Sequence, residues 1–184
     1  YMPELVATFD TLCHALGGDE QTAAFLSLYK PPVFRAGCSQ ACQSTNTLEL
    51  VRNYDYPAKL TDRLLLHTCY NGTRVIAMTD CLWGVIDGIN EHGLAVSLAY
   101  GGRNKHGDGF AITLVLRYIL EFCRNTRDAV EVLKKVPVHM PYNITLIDSS
   151  GQSKTVIICP GEQVQVSSLA FATNHQQDAA IEDI

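Results

Sequence analysis

An α+β fold, with two antiparallel sheets sandwiched between helices, is what the sequence predicts. Three observations predict it: alternating apolar runs parted by turn formers through the middle of the chain, two helical stripes after them, and a return to strand-like runs near the end. At 184 residues, 47% of them hydrophobic, the chain is one domain's worth of polypeptide or a large piece of one, with enough apolar residues for a sizeable core. No repeat, low-complexity tract or interdomain linker breaks it.

Leu5, Phe9, Leu12, Cys13 and Leu16 recur at helical spacing until Gly17-Gly18 stop the pattern, and a second helical stretch spans Glu20 to Leu28. Pro31-Pro32 then forces extended backbone that leads to Ala36-Gly37-Cys38. Cys38 to Cys42 and Thr47 to Asn53 flank a polar turn, Gln43 to Asn46. Leu64 to Thr68 and Arg74 to Thr79 flank Asn71-Gly72, a strong hairpin signal. Trp83 to Ile86 and Leu94 to Tyr100 flank the turn-rich run Asp87 to Gly93. Ile112, Val115, Leu116, Ile119, Leu120 and Cys123 form an apolar stripe, and Thr126 can cap the next helix, which Pro137 ends. Strands are expected at Asn143 to Ile147, Thr155 to Ile158 and Leu169 to Thr173, with a turn from Asp148 to Gly151.

Composition excludes several classes of function. A net charge of −5 without a basic block argues against a nucleic-acid surface. The apolar stretches are interrupted well before membrane-spanning length, and no basic-then-apolar leader is seen, although the chain opens on Tyr1 rather than Met. Seven cysteines, odd in number and without a CxxC pair, read as reduced residues in a cytoplasmic compartment. The six histidines lack metal-ligand spacing, so neither a metal nor a cofactor is expected. Sequons at Asn71 and Asn143 are read as chance in an unexported chain.

The chemistry centres on Gly37-Cys38. A thiol directly after glycine, reached by extended backbone, is placed to attack the preceding carbonyl, which carries no side chain in the way. Hydrolysis of the resulting thioester would free Cys38 as an N-terminus, whose α-amine, ordinarily of pKa about 7.7–8.0, could act as base for its own thiol. The dipeptide alone fits a buried cysteine at the start of a strand better.

The wider context decides between them. Gly37-Cys38-Ser39-Gln40-Ala41, followed by Val51-Arg52-Asn53-Tyr54-Asp55-Tyr56, resembles the start of the mature enzyme in the isopenicillin N acyltransferase family. It is also similar to the choloylglycine hydrolase and acylethanolamine amidase group. Asp87 to Val96 resembles the family's Asn-Glu-x-Gly-Leu segment. Leu116 to Glu121 and Val136-Pro137-Val138 fit its helices, and Ala172-Thr173-Asn174-His175 resembles its Thr-Asn-His motif. The resemblance implies a four-layer αββα sandwich, the N-terminal-nucleophile hydrolase fold, expected to be incomplete at its C-terminus. It also implies that residues 1–37 form a removable helical propeptide and residues 38–184 the hydrolase domain.

Carried over residue by residue, the resemblance makes Cys38 the nucleophile and Gly37–Cys38 the self-cleavage bond. Asp55 would hold the freed α-amine, Arg52 would line the site beside the thiol, and Asn174 would donate its amide to the oxyanion. Two departures stand out. The hairpin between Cys38 and Arg52 is two residues shorter than the family's, an even deletion that preserves facing directions. Some relatives place a second oxyanion asparagine where this chain reads Ser97-Leu98-Ala99-Tyr100, leaving a backbone N–H near Tyr100 as the candidate donor. Cys42 is read as structural. The implied partner is a small-molecule amide or acyl substrate, with no nucleic acid or membrane, and a homo-oligomer stays open. The reaction is hydrolysis or transfer of a linear amide's acyl group through a thioester on Cys38. The rivals are a papain-like Cys38–His175 hydrolase without self-cleavage and an inactive binding module.

Overall fold

The computed structural model describes residues 1–176 of the chain. Residues 177–184, the end of the expected 38–184 domain, lie outside the described residues. A short 3₁₀ turn, Pro3–Leu5, leads into α1 (Val6–Ala15). Gly17 and Gly18 end that helix with φ of 104° and 70°, and the Gly18 N–H closes on the Cys13 carbonyl at 2.8 Å. α2 (Glu20–Leu26) begins where Asp19 Oδ1 accepts from the Thr22 N–H at 2.6 Å.

A hairpin of β1 (Gly37–Gln43) and β2 (Glu49–Asp55) follows, paired from Gly37↔Asp55 to Gln43↔Glu49. The chain then lays down β3 (Leu65–Thr68), β4 (Val75–Asp80), β5 (Gly84–Asn90) and β6 (Ala95–Tyr100). It leaves the sheet for α3 (Ile112–Phe122) and α4 (Thr126–Lys135), and returns as β7 (Tyr142–Ile147), β8 (Ser153–Ile158) and β9 (Gln165–Ser167). These strands form one seven-stranded antiparallel sheet in the order β3-β4-β5-β6-β7-β8-β9. The last strand, β10 (Phe171–Ala172), crosses to the other sheet, giving the order β10-β1-β2.

Alternation of side chains along β6 and β7 produces two unlike faces. Val96, Leu98, Ile144 and Leu146 join the main core beneath α3 and α4. Ser97 and Ala99 lie opposite Thr145 and Asn143 in register, and this face meets the small sheet. Every residue of β7 is buried, because helices cover one face and the β1–β2 hairpin the other. The described residues thus form three of the four expected layers. Val51 and Phe171 stay exposed on the far side of the small sheet, where the fourth would lie.

The segment before Cys38 contributes side chains to the core. Met2, Leu5, Leu26 and Leu28 are buried in the main cluster, Trp83 Nε1 donates to the Leu26 carbonyl at 3.0 Å, and the Ala111 N–H donates to the Leu28 carbonyl at 2.7 Å. The Asn-Glu-x-Gly-Leu segment also proves to be scaffold. Asn90 donates to the Leu120 and Cys123 carbonyls at the end of α3, and its Oδ1 accepts from the N–H groups of His92 and Leu94, closing the β5–β6 turn.

Four local expectations are corrected. β5 runs on to Asn90, so Asp87 sits in a strand paired with Met78 and Ser97 rather than in a turn. Asn125, not Thr126, caps α4 through the Asp128 N–H, while Thr126 gives its N–H and O–H to Asp148, each at 2.9 Å. The Asn71-Gly72 loop is wider than a two-residue turn, since the pairing closes at Thr68↔Val75. The strand expected over Leu169 to Thr173 shrinks to Phe171–Ala172, because the chain is changing sheets: the Leu169 carbonyl still takes Thr155 Oγ1, and the Ala170 carbonyl already takes the Cys42 N–H.

Leu26 is 1% exposed and has no room to be replaced from solvent. Leu26→Ala is expected to cost roughly 2–5 kcal/mol of stability, read from denaturant unfolding of the intact chain. A change within about 0.5 kcal/mol, the scale of a neutral surface substitution, would show that the first helices are not part of the folded core.

Candidate active site

Leaving α2, the chain runs along the 101–109 loop. The Lys30 N–H donates to the Gly109 carbonyl at 2.9 Å, Lys30 Nζ pairs with Asp108 at 2.6 Å, and Arg35 reaches Asn104 Oδ1 at 2.7 Å. The alternation of β1 then turns Cys38 and Gln40 inward and Ser39 outward. Cys38 is 4% exposed and packs on Ala36 and Ala99, beside Tyr54 and Tyr56.

Cys38 pairs with Tyr54, so Arg52 is its diagonal neighbour on the same face, within reach of a long side chain. The Arg52 guanidinium is held on several sides at once. Nε donates to the Leu98 carbonyl at 2.9 Å, one terminal nitrogen to Asp87 Oδ2 at 3.0 Å, and the other to Cys38 Sγ at 3.4 Å. Its carbon lies 4.3 Å from the centre of the Tyr54 ring, in cation–π contact. The Leu98 carbonyl is free to accept because β5 pairs with β6 only as far as Ser97. Burial pushes the Asp87 carboxyl up, and the Arg52 charge pulls it partly back.

Asn174 closes the site from the other side. Its Oδ1 accepts the Cys38 N–H at 2.6 Å, and its Nδ2 donates to the Tyr100 carbonyl at 2.7 Å and the Ala36 carbonyl at 3.2 Å. The amide orientation is fixed by its partners, since only the oxygen can accept from an N–H and only the nitrogen can donate to two carbonyls. The Gly101 N–H donates to the Pro141 carbonyl, just before β7, so the Tyr100 backbone groups point away from β7 and the Tyr100 carbonyl is left to accept from Asn174.

The structure therefore brings Cys38, Arg52, Asn174 and the Tyr100 carbonyl together. Asp55 stands apart. It faces outward, exposed, accepting from Asn53 Nδ2 at 2.6 Å, and in the continuous chain the Cys38 N–H goes to Asn174 instead. Asp55 is still the cross-strand partner of Gly37, and a methyl group added at Gly37 would lie 3.1 Å from Asp55 Cβ. The His175 ring bonds Thr173 Oγ1 at 3.2 Å on the exposed side, whereas the thiol of Cys38 has Arg52 and the Ala36 carbonyl, 4.0 Å away, as its partners. Asp87 was not singled out by the sequence. A register shift opposite it on β4, between Met78 and Thr79, breaks the alternation that would have shown which way it faces.

Gly102 is what lets the 173–176 segment come so close. Its φ is 78°, and a Cβ there would collide with the Asn174 carbonyl oxygen. Gly102→Ala is expected to lower stability by roughly 1–3 kcal/mol in denaturant unfolding; an unchanged midpoint would mean that the close approach is absent. Cys42 gives a pH prediction. Burial pushes its thiol up to about 11, so at pH 8 only about a thousandth is thiolate. Timed iodoacetamide labelling should modify exposed Cys69 at pH 8 and reach Cys42 only near pH 11, and equal rates at pH 8 would refute the buried setting.

Among solved structures, the N-acylethanolamine-hydrolyzing acid amidase ortholog of Caenorhabditis elegans aligns at a TM-score of 0.54 and 17% identity, over 77% of this chain and 70% of its own. This likeness shows a shared fold. Penicillin V acylase of Agrobacterium tumefaciens aligns at 0.47 and 18% identity, over 76% of this chain and 44% of its own. A variant of the conjugated bile acid hydrolase of Clostridium perfringens aligns at 0.43 and 14% identity, over 82% of this chain and 49% of its own. The chain thus spans less than half the length of those last two proteins. No curated protein matches the sequence. No helix among the described residues is long and apolar enough to cross a membrane. The profile of the family described as acyl-coenzyme A:6-aminopenicillanic acid acyl-transferase matches residues 42–184, a span that begins just after Cys38 and includes Arg52, Asp55, Asp87 and Asn174. The chain belongs to that family.

Proposed function

We propose that the chain is a self-activating cysteine amidohydrolase or acyltransferase that works on linear amides through a thioester on Cys38. The observation that carries this reading is the setting of one residue: a buried thiol 3.4 Å from a guanidinium, whose own backbone nitrogen is held at 2.6 Å by Asn174. Family membership supports acyl transfer as the class of chemistry.

In activation, Cys38 Sγ attacks the Gly37 carbonyl carbon. The C–S bond forms, the Gly37–Cys38 C–N bond breaks, and the thiol proton ends on the Cys38 nitrogen. Water then hydrolyses the thioester, leaving a carboxylate on Gly37 and returning the thiol. Arg52 would stabilise negative charge on the sulfur as it develops. Asn174 Oδ1 would keep hold of the freed amine, while Asp55, beside the position of Gly37, would meet its new protons.

In turnover, the Cys38 amine takes the thiol proton and the sulfur attacks the substrate amide. Asn174 Nδ2, released by the Ala36 carbonyl, would then donate to the oxyanion, with the backbone N–H of Tyr100 as the second donor, a contribution of about 10²–10³ in rate for each. The leaving amine departs with the proton from the Cys38 ammonium, and water or a second amine takes the acyl group. The cleaved 1–37 segment would stay bound, because Leu26 and Leu28 lie in the core. A reducing, cytoplasmic compartment suits a mechanism that runs on a free thiol.

Mass spectrometry of purified protein held at neutral pH tests the proposal. Two fragments divided between Gly37 and Cys38, co-eluting under native conditions and absent in Cys38→Ala, are expected. An intact wild-type chain after prolonged incubation would overturn it.

A further inference from the structure

β10 ends at Ala172, so no strand ladder holds the next residues, yet Asn174 must be placed to within hydrogen-bonding distance of three backbone groups. The structure assigns that placement to Asn143, a residue on β7 that is 2% exposed. Asn143 Nδ2 donates to the Thr173 carbonyl at 2.8 Å and to the His175 carbonyl at 3.0 Å, the two carbonyls that flank Asn174. One side-chain amide thus substitutes for the missing ladder.

The other end of Asn143 is held as firmly. Its Oδ1 accepts from Gln176 Nε2 at 3.1 Å, and the same Gln176 nitrogen reaches the Tyr142 and Ile158 carbonyls, each at 3.0 Å. The Asn143 backbone carbonyl accepts from Gln40 Nε2 at 2.9 Å, and Gln40 in turn takes the Ser97 hydroxyl on its Oε1. Gln40 lies on β1 two residues beyond Cys38, on the same inward face. The polar line therefore runs from the strand that carries the thiol, across β7, to the segment that carries Asn174.

The chemistry of this position is narrow. Two donors on one nitrogen and an acceptor beside them are what asparagine offers at this length. Aspartate has the shape without the donors, and serine has a single donor with less reach. Asn143 acts as a positioning residue: it touches no reacting atom and sets where Asn174 stands. This also gives the Asn143 sequon a physical reading, since a side chain buried and fully engaged is closed to modification in the folded chain. The inference rests on the proposed role of Asn174, and two measurements separate its failure from that of the proposal.

The first measurement is the rate of Gly37–Cys38 self-cleavage in the wild type, Asn143→Asp, Asn174→Ala and the double variant. Asn143→Asp is expected to slow cleavage about tenfold or more, on the scale of one lost hydrogen bond to a buried group. It should add little to Asn174→Ala, because both changes act through one side chain. Asn143→Ser, keeping one donor, should fall between, and serves if the aspartate variant fails to fold. Wild-type cleavage in the Asn143 variants, or effects that multiply in the double variant, would overturn the assignment.

The second measurement needs no cleavage. Hydrogen exchange at the residue-38 amide, followed in a Cys38→Ala chain, reports the bond to Asn174 Oδ1 directly. Its protection should drop about tenfold in Asn143→Ser, while amides of β7 and α3 hold theirs. Equal loss at all sites, or none at residue 38, would sink the inference even if the wild type never cleaves.

Discussion

Burying a guanidinium between two sheets is costly unless its nitrogens are matched by acceptors, and the site depends on Arg52 meeting that condition. Its side chain is 6% exposed, yet each of its three nitrogens has a partner and its face rests on Tyr54. Those partners come from β1, β2, β5 and β6, so the charge can be housed only when both sheets are assembled. One consequence is that the thiol and the charge beside it come into being with the fold.

The same condition explains why the two faces of the large sheet differ. Toward the helices, β6 and β7 present Val96, Leu98, Ile144 and Leu146, and the layer is held by apolar burial. Toward the small sheet they present Ser97, Asn143 and Thr145, all deeply buried, where Gln40 and the Asn174 segment also arrive. Stability is concentrated on one side and chemistry on the other. A low-dielectric polar layer strengthens each hydrogen bond and makes each missing partner expensive, which suits a site needing fixed geometry.

Parts of this arrangement were legible beforehand. Cys38 and Arg52 share a strand face because the hairpin register follows from its length, and an even shortening leaves that face unchanged. By the same parity Arg52 and Asp55, three residues apart on one strand, must face opposite ways, and they do. Asn174 stood out through its neighbours Thr173 and His175. Asn143 and Asp87 did not, because each was assigned to something local: the first to a sequon, the second to a turn. Their partners lie at Thr173, His175 and Arg52, too far along the chain for spacing to connect them.

What the amino-acid order determined by itself is the set of periodicities: two-residue alternation in the hairpins, a helical stripe from Ile112 to Cys123, and the proline-led approach to Gly37-Cys38. Those are properties of neighbouring residues, so they are written locally. Tertiary structure alone decided that β10 leaves the large sheet for the small one, that Met2, Leu5, Leu26 and Leu28 are buried in the main core, and that one amide on β7 bears on Asn174. Each of these turns on which buried donor finds which acceptor, and that choice exists only once distant segments have been packed together.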